Sequence, residues 1–209
     1  MGTPLTPALS VAVVAAAFLA GSIPFGYLVP RWLRGLDIRD RGSRNPGATN
    51  VWRVVGPGAG LAVGLLDGCK GWVAVEIAVR AGAGAALGVT AALAAVAGHT
   101  WTPWLGFRGG KGVITSAGAF LRLAWLPLAG AVGAFGVVFA ATRMVSAGSI
   151  AAAVLFAVLT CGMPGPWRTP PVEAAACLVA LLIVIRHRAN ISRMLAGTEY
   201  RFGRKGPGR

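Results

Sequence analysis

Seven apolar runs follow one another along this chain and leave no stretch long enough for a separate soluble domain. They cover Leu9–Val29, Gly58–Val79, Ala83–Gly98, Val113–Leu121, Pro127–Thr142, Ser149–Cys161 and Val172–Ile185. Of the 209 residues, 56% are hydrophobic and only 12% are charged, a composition typical of membrane proteins. The sequence therefore predicts an all-α integral membrane protein: one domain, residues 1–209, with a bundle of about seven transmembrane helices.

Several of these runs are shorter than the roughly 20 residues that a free spanning helix needs. Flanking residues then complete the helices, or the helices tilt within the bundle. The run that begins at Val113 has a second interpretation, a partly re-entrant helix, and six spans are then the alternative count.

Basic residues divide unequally between the two sides of such a bundle. With the N-terminus outside, the Lys and Arg residues lie in inner loops or in the C-terminal tail, except for Arg80, Arg122, Arg168 and the intramembrane Lys70. The positive-inside rule thus predicts an external N-terminus and a cytoplasmic C-terminus. The net charge of +14 is explained by inner loops and by contact with anionic lipid. The arginines lie at the ends of apolar runs, whereas a nucleic-acid-binding protein would carry a basic face on a folded domain.

The cysteines of the chain give no sign of a disulfide framework or a metal site. Cys69, Cys161 and Cys177 lie in or beside apolar runs, with no Cys-x-x-Cys pair and an odd count. We interpret them as buried packing residues.

The densest polar segment, Gly42 to Arg53, stands directly between the first two apolar runs. It offers hydroxyls, amides and a guanidinium from Ser43, Asn45, Thr49, Asn50 and Arg53. Its Gly and Pro residues keep the backbone out of a regular helix and leave N–H groups available to an anion. We interpret the segment as part of a site for a compact polar ligand.

A second polar cluster is the Gly-rich segment Arg108-Gly109-Gly110-Lys111-Gly112. Adjacent glycines let backbone N–H groups approach a phosphate, and Lys111 supplies a point charge. The segment is not a Walker loop, because Leu105 and Gly112 occupy the positions of the first glycine and of the Ser/Thr. A simple Gly-rich turn is the alternative.

Two further polar clusters follow predicted spans, and the predicted topology puts them on the cytoplasmic side with the first two. His187 and Asn190 lie three residues apart and share a helix face if the segment is helical. Arg143 precedes two hydroxyls, Ser146 and Ser149, which can serve a ligand or cap a helix.

Polar residues also occur within the predicted spans. Asp67 and Lys70 are three apart in one run, where a mutual ion pair and a substrate pathway are the two interpretations. His99 ends another run beside Trp101 and Trp104, and we expect it near the inner membrane interface.

Four ordered motifs resemble the bacterial acyl-phosphate:glycerol-3-phosphate acyltransferases, the PlsY family. They are Gly42-Ser43-x-Asn45-x-Gly47-Ala48-Thr49-Asn50-x-x-Arg53, Asp67-x-x-Lys70-Gly71, Phe107-x-Gly109-Gly110-Lys111-Gly112-Val113-x-Thr115 and His187-x-x-Asn190-Ile191-x-Arg193. The resemblance extends from Gly21 to Glu199 and so covers nearly the whole chain. Arg44 and Pro46 replace a glycine and an isoleucine that are frequent in the family, but no functional group is lost.

The resemblance implies a seven-helix enzyme of the bacterial inner membrane with its active site on the cytoplasmic face. It implies acyl transfer from a fatty acyl phosphate, in contact with membrane lipid, to the first hydroxyl of glycerol 3-phosphate. The catalytic residues would be Ser43, Arg53, His187 and Asn190. Substrate binding would fall to Asn45, Thr49, Asn50, Gly109, Gly110, Lys111 and either Ser146 or Ser149. A structural role would fall to Asp67, Lys70 and Glu199.

The chemistry fits these residues without a covalent nucleophile, a cofactor or a metal. An acyl phosphate is a mixed anhydride with a good leaving group, so the protein has to position a hydroxyl and neutralise phosphate charge. Two candidates remain for the general base, His187 and a phosphate oxygen of a substrate. The alternative function is a transporter of phosphate esters or anions. Transporters, however, generally bind near mid-membrane between repeated halves, which this chain lacks.

Overall fold

The computed structural model describes residues 6–82 and 84–203, which contain helices and no strand. These ranges hold ten α-helices: α1 (Pro7–Ser22), α2 (Phe25–Arg34), α3 (Ala48–Val54), α4 (Pro57–Arg80), α5 (Ala85–Thr100), α6 (Val113–Leu123), α7 (Trp125–Thr142), α8 (Val145–Gly162), α9 (Pro170–Arg186) and α10 (Arg188–Leu195). Single 3-10 turns lie at Ile38–Asp40 and Pro103–Leu105. The predicted all-α fold is confirmed.

Among the described residues the apolar runs are largely helical, but not all of their helices qualify as spans on length and composition. Three segments do, Pro7–Arg34, Trp125–Thr142 and Val145–Gly162, and α9 with α10 makes a fourth if these helices, bent by 54°, form one span. α4 has 24 residues with four charged side chains, and α5 and α6 have 16 and 11 residues. The count of seven and the orientation of the termini therefore stay predictions. Ala83, Arg204, Lys205 and Arg209, on which they partly depend, lie outside the described residues.

The first apolar run breaks at Pro24, between α1 and α2. Proline cannot donate into a helix and disfavours helical geometry at the preceding residue, so Ile23 adopts a ψ of 118°. Side chains from elsewhere bind the carbonyls at the break. Thr102 Oγ1 donates to Ser22 O at 2.6 Å, and Lys70 Nζ donates to Ile23 O at 2.8 Å. The break is thus held in place by tertiary hydrogen bonds.

The chain forms two compact units, Met1–Trp125 and Leu126–Arg209. In the first unit α1 packs against α5, and α4 packs against α6. Glycines let these pairs meet backbone to backbone: a methyl group at Gly21 would overlap Ala95, and one at Gly118 would overlap Gly68. Close packing through small residues is typical of membrane helices.

In the second unit α8 packs against α9, and aromatic rings connect α7 to the C-terminal tail. Phe135 and Phe139 stack at 5.8 Å, and Phe139 meets Phe202 edge to face at 5.6 Å between ring centres. The Phe202 N–H also donates to Arg143 O at 2.8 Å. These contacts hold the segment after α10 beside the end of α7.

The prediction that the cysteines are buried packing residues is wrong. Cys69 and Cys177 are exposed, and Cys161 is only partly buried. The Sγ atoms of Cys161 and Cys177 lie 3.8 Å apart on the neighbouring helices α8 and α9. The hydrophobicity of a run does not reveal which of its faces meets another helix, so burial of single residues could not be derived from it.

Candidate active site

The first polar cluster folds into a loop followed by α3, and Asn50 connects the two. Asn50 Oδ1 accepts a hydrogen bond from the Ser43 N–H at 2.9 Å, and its Nδ2 donates to Arg41 O at 3.0 Å. The residue is only 2% exposed, so water does not compete for these bonds. A methyl group at Gly42 would overlap Asn50 Oδ1. The buried amide therefore sets the shape of the loop that carries the exposed Ser43.

The same loop contains an arginine in a conformation that suits glycine. Arg44 has a φ of +59°, close to the +57° of Gly42. Left-handed backbone costs a residue with a side chain roughly 1–2 kcal/mol, whereas glycine adopts it freely. This is the position at which the sequence carries arginine in place of the family's frequent glycine. The loop keeps its turn in spite of the substitution.

Arg39 fixes the beginning of this loop. Its Nη2 lies 2.6 Å from Asp37 Oδ2, and its guanidinium lies 5.1 Å from the centre of the Tyr27 ring on α2. The hydrogen bonds from the Arg39 side chain hold the pKa of the Asp37 carboxyl below its ordinary value. Asp37 is thus ionised at neutral pH and orients the Arg39 guanidinium, whose contact with the Tyr27 ring links the loop to α2.

The Gly-rich segment docks on the C-terminal end of α5. The Gly109 N–H donates to Thr100 O and the Gly110 N–H donates to His99 O, both at 3.1 Å. A methyl group at Gly109 would overlap the His99 carbonyl, and one at Gly110 would overlap the His99 ring. The adjacent glycines predict that these two N–H groups approach a phosphate, but the two groups bind carbonyls of α5. The glycines instead permit close contact between the loop and the helix.

Lys111 directly precedes the N-terminus of α6. Gly112 has a φ of +80°, which turns the chain into the helix that begins at Val113. The first turn of a helix presents backbone N–H groups and a partial positive charge, and both favour an anion. The half-buried Lys111 adds a full positive charge at the same end. A phosphate group suits this arrangement.

A buried polar chain lies next to the Gly-rich segment. Asp67 Oδ1 and Lys70 Nζ form an ion pair of 2.8 Å within α4, and these residues are 3% and 6% exposed. His99 Nδ1 lies 3.6 Å from the same carboxylate oxygen. Lys70 also binds the Ile23 carbonyl at the Pro24 break. Ionised groups within a membrane segment are costly unless they are paired, and here each has a partner.

A small pocket opens among these elements of the first unit. Its lining combines the Pro24 break, the first polar cluster, α4, the end of α5 and the Gly-rich segment, through residues that include Phe25, Pro46, Asp67, His99, Thr102 and Gly110. Parts of three separate sequence clusters therefore meet at one pocket.

In the second unit, Glu199 is the centre of a hydrogen-bond cluster. Its Oε1 accepts from Ser146 Oγ and from Asn190 Nδ2, both at 2.7 Å, and its Oε2 accepts from Arg193 Nε at 2.7 Å. Burial of the carboxyl raises its pKa, but the bonds from Asn190, Ser146 and Arg193 outweigh burial and leave the pKa below its ordinary value. The carboxylate connects α8, α10 and the tail.

His187 has a defined tautomer in its neutral form. The residue is 2% exposed and lies between α9 and α10, and its Nδ1 donates to Ile183 O at 2.8 Å. A carbonyl can only accept, so Nδ1 carries the proton and the lone pair of the neutral ring is on Nε2. This is the arrangement that a proton acceptor requires.

The remaining predicted residues lie on the same elements. Thr49 and Arg53 are half-buried on α3, and Asn45 is half-buried in the loop before it. Ser149 is buried on α8, one turn beyond Ser146.

No site role is predicted for His99 or Thr102 from the sequence, yet both line the pocket in the first unit. A usable signal for His99 was its position at the end of an apolar run, ten residues before Gly109.

Comparisons with known proteins agree with this fold and these motifs. The family model of glycerol-3-phosphate acyltransferase matches residues 11–197. The chain is 45% identical over 197 residues to the glycerol-3-phosphate acyltransferase of Synechococcus sp. (strain CC9902), covering 94% of this chain and 97% of that protein. It is 48% identical over 197 residues to that of Anaeromyxobacter sp. (strain Fw109-5), covering 92% and 96%.

Two solved structures are also similar. The crystal structure of PlsY (YgiH), an integral membrane glycerol 3-phosphate acyltransferase, in its glycerol 3-phosphate form has a TM-score of 0.86 at 35% identity, covering 93% of this chain and 96% of that chain. Its lysophosphatidic acid form has a TM-score of 0.83 with the same identity and coverage.

Together with these comparisons, the helices and the cationic, glycine-rich clusters of this chain identify an integral membrane acyltransferase. The chain belongs to the glycerol-3-phosphate acyltransferase family.

Proposed function

We propose that this enzyme transfers a fatty acyl group from an acyl phosphate to the first hydroxyl of glycerol 3-phosphate. The products are lysophosphatidic acid, which enters phospholipid biosynthesis, and inorganic phosphate, which is released. Family membership favours an enzyme over the transporter considered as an alternative. The observation that carries the proposal is the docked Gly-rich segment, in which Lys111 stands at the N-terminus of α6.

Phosphate recognition is the first task of the site. Lys111 and the first turn of α6 supply positive charge and donors to glycerol 3-phosphate, while Gly109 and Gly110 allow the loop to reach its docked position. Arg53 supplies a planar guanidinium for phosphate oxygens.

The first polar cluster contributes hydroxyl and amide groups. Ser43 hydrogen-bonds a substrate from its exposed loop, and Asn45 and Thr49 add polar contacts. Asn50 acts through Ser43, because its own amide is engaged with the loop backbone.

Within the second unit, the proposed site residues are His187, Asn190 and a serine. Asn190 and Ser146 are held by Glu199, so their orientation is fixed before substrate binds. Ser146 and Ser149 both remain candidates for the substrate contact. The donated hydrogen of Ser146 is used by Glu199, but its oxygen can still accept.

The transfer needs one step. The first hydroxyl of glycerol 3-phosphate attacks the acyl carbonyl carbon, a new C–O ester bond forms, and the bond from that carbon to the phosphate oxygen breaks. The hydroxyl proton passes to a base, either His187 Nε2 or a phosphate oxygen of a substrate. Because the anhydride is already activated, a covalent acyl-enzyme would give no advantage.

Residues 1–209 act as one acyltransferase domain, as a family match across 11–197 supports.

We place the enzyme in the bacterial inner membrane with seven spans, an external N-terminus and the site on the cytoplasmic face. The distribution of Lys and Arg supports this orientation. A reporter after Arg209 should stay cytoplasmic and a tag before Met1 should be external. Labelling of both ends from one side would refute the odd number of spans.

The acyl donor is tested with purified protein, glycerol 3-phosphate and two donors of equal chain length, an acyl phosphate and an acyl-CoA thioester. Mass spectrometry should detect lysophosphatidic acid with the acyl phosphate and only trace amounts with the thioester. Equal product from the thioester would refute the proposed donor.

A further inference from the structure

We infer that His99 is a positioning residue that fixes the Gly-rich segment, and through it Lys111, for glycerol 3-phosphate. This inference rests on the proposed role of Lys111 in phosphate binding. His99 itself needs no contact with substrate. Its effect runs through the backbone that leads from Gly109 to Lys111.

Two edges of the His99 ring face two different groups. On one edge, Nδ1 lies 3.6 Å from Asp67 Oδ1. On the other edge, the ring packs against Gly110 so closely that a methyl group there would overlap Nε2. The backbone of the same residue accepts a hydrogen bond from the Gly110 N–H at 3.1 Å. His99 therefore holds Gly110, the residue before Lys111, by its ring and by its carbonyl.

The carboxylate behind His99 is itself held in place. Asp67 pairs with Lys70 at 2.8 Å, and Lys70 donates to Ile23 O at 2.8 Å at the Pro24 break. Three residues contribute side chains to this row of contacts, and all three are buried: Asp67, Lys70 and His99 are 3%, 6% and 9% exposed. A histidine that served only to fill space would not need a buried ion pair beside its ring, since burying charge is costly. The chain Ile23–Lys70–Asp67–His99–Gly110 connects the Pro24 break to the Gly-rich segment.

Kinetics of His99 variants test the inference. His99→Asn and His99→Gln keep a polar side chain but remove the ring that packs on Gly110. Each should raise the KM for glycerol 3-phosphate about tenfold, because a small displacement of a binding group is enough to lose its contact. The kcat and the KM for acyl phosphate should stay within about twofold. Thr90→Val on the same helix, an exposed position whose hydroxyl bonds only Ala86 O among the described contacts, is the matched control.

A double-mutant cycle shows whether the effect passes through Lys111. In a Lys111→Ala background, His99→Asn should raise the KM for glycerol 3-phosphate by less than about twofold, because the group that it positions is already gone. A full additional tenfold rise would overturn the inference. An unchanged KM in His99→Asn, together with a raised KM in Lys111→Ala, would overturn the inference about His99 but not the proposed role of Lys111. An unchanged KM in Lys111→Ala would instead refute the proposed role of the loop.

A second double-mutant cycle tests the contact between the His99 ring and Gly110 directly. Its readout is a recovery of binding, so poor folding of a single variant cannot imitate the expected result. Gly110→Ala should bind glycerol 3-phosphate much more weakly. Adding His99→Ala should lower the KM again, to the value of His99→Ala alone or below it, because the three atoms nearest to a methyl group at Gly110 all belong to the His99 ring. Gly109→Ala is the matched control: its obstruction is backbone carbonyl, so His99→Ala should give no recovery. Equal recovery of both, or of neither, would contradict the positioning role.

Discussion

The Ser146 hydroxyl at the start of α8 donates a 2.7 Å hydrogen bond to Glu199 Oε1, 53 residues further along the chain. Asn190 and Arg193 bind the same carboxylate, whose side chain is 5% exposed. One acidic side chain thus orients a candidate substrate contact and a candidate catalytic amide in the second unit. The resemblance implies a structural role for Glu199, and this geometry gives that role a mechanism.

Glu199→Gln should lower stability by about 1–3 kcal/mol, because buried donors lose a charged acceptor. The pKa of Glu199 is lower in the folded protein, so its stabilisation is complete above the ordinary value of 4.5 and is lost as the pH falls through the lowered pKa. Thermal unfolding in detergent between pH 3 and pH 7 should therefore show the largest difference from the parent at neutral pH. Glu173→Gln, whose Arg168 partner is 3.5 Å away, is the control and should change little.

Lys111→Ala should mainly weaken the binding of glycerol 3-phosphate. The loss of one charge-assisted contact worth about 1.5–3 kcal/mol predicts a KM roughly ten- to a hundredfold higher. Arg80→Ala removes an equal charge at the exposed end of α4 and should leave the KM unchanged. An unchanged KM in Lys111→Ala would reduce the Gly-rich segment to a structural turn.

Arg53→Lys should be poorly tolerated although it keeps the charge. An ammonium cannot reproduce the planar, two-pronged contact of a guanidinium with phosphate oxygens. We expect kcat/KM to fall by about tenfold or more, measured by phosphate release. Activity close to that of the parent would show that Arg53 contributes only charge.

The cysteines should be dispensable for catalysis. Replacement of Cys69, Cys161 and Cys177 by alanine together should keep activity within about twofold, since direct transfer uses no thiol nucleophile. Loss of activity in the triple variant would reinstate a cysteine nucleophile.

Two of the cysteines are close enough to be cross-linked. Because the Cys161 and Cys177 sulfurs are 3.8 Å apart, copper phenanthroline with oxygen should join these two thiols in a disulfide. Alkylation and mass spectrometry should then find two fewer free thiols in the parent and no such loss in Cys177→Ser.

The helices could be predicted from the sequence, because each apolar run carries its own local signal. The polar clusters could also be located, since they form short segments between those runs; their roles in the site stay predictions. Tertiary partners could not. Lys70 binds Ile23 O 47 residues away, and Thr102 binds Ser22 O 80 residues away, and neither contact has a local signature.

The role of Asn50 illustrates the same limit. An asparagine in a polar cluster suits a ligand as well as a loop, and only the bonds to Ser43 and Arg41 reveal that its amide is engaged within the protein. His99 was missed for a related reason. Its neighbours Asp67 and Gly110 come from different elements, and the packing of α4 and α5 brings them together.

The most direct test of the central claim measures phosphate release by purified protein with acyl phosphate, in the presence and the absence of glycerol 3-phosphate. Direct transfer predicts that phosphate and lysophosphatidic acid form in equal amounts and only when both substrates are present. Varying both concentrations should give intersecting reciprocal plots, because both substrates bind before any product leaves. A burst of phosphate without glycerol 3-phosphate, or parallel reciprocal plots, would contradict single-step transfer and require an acyl-enzyme.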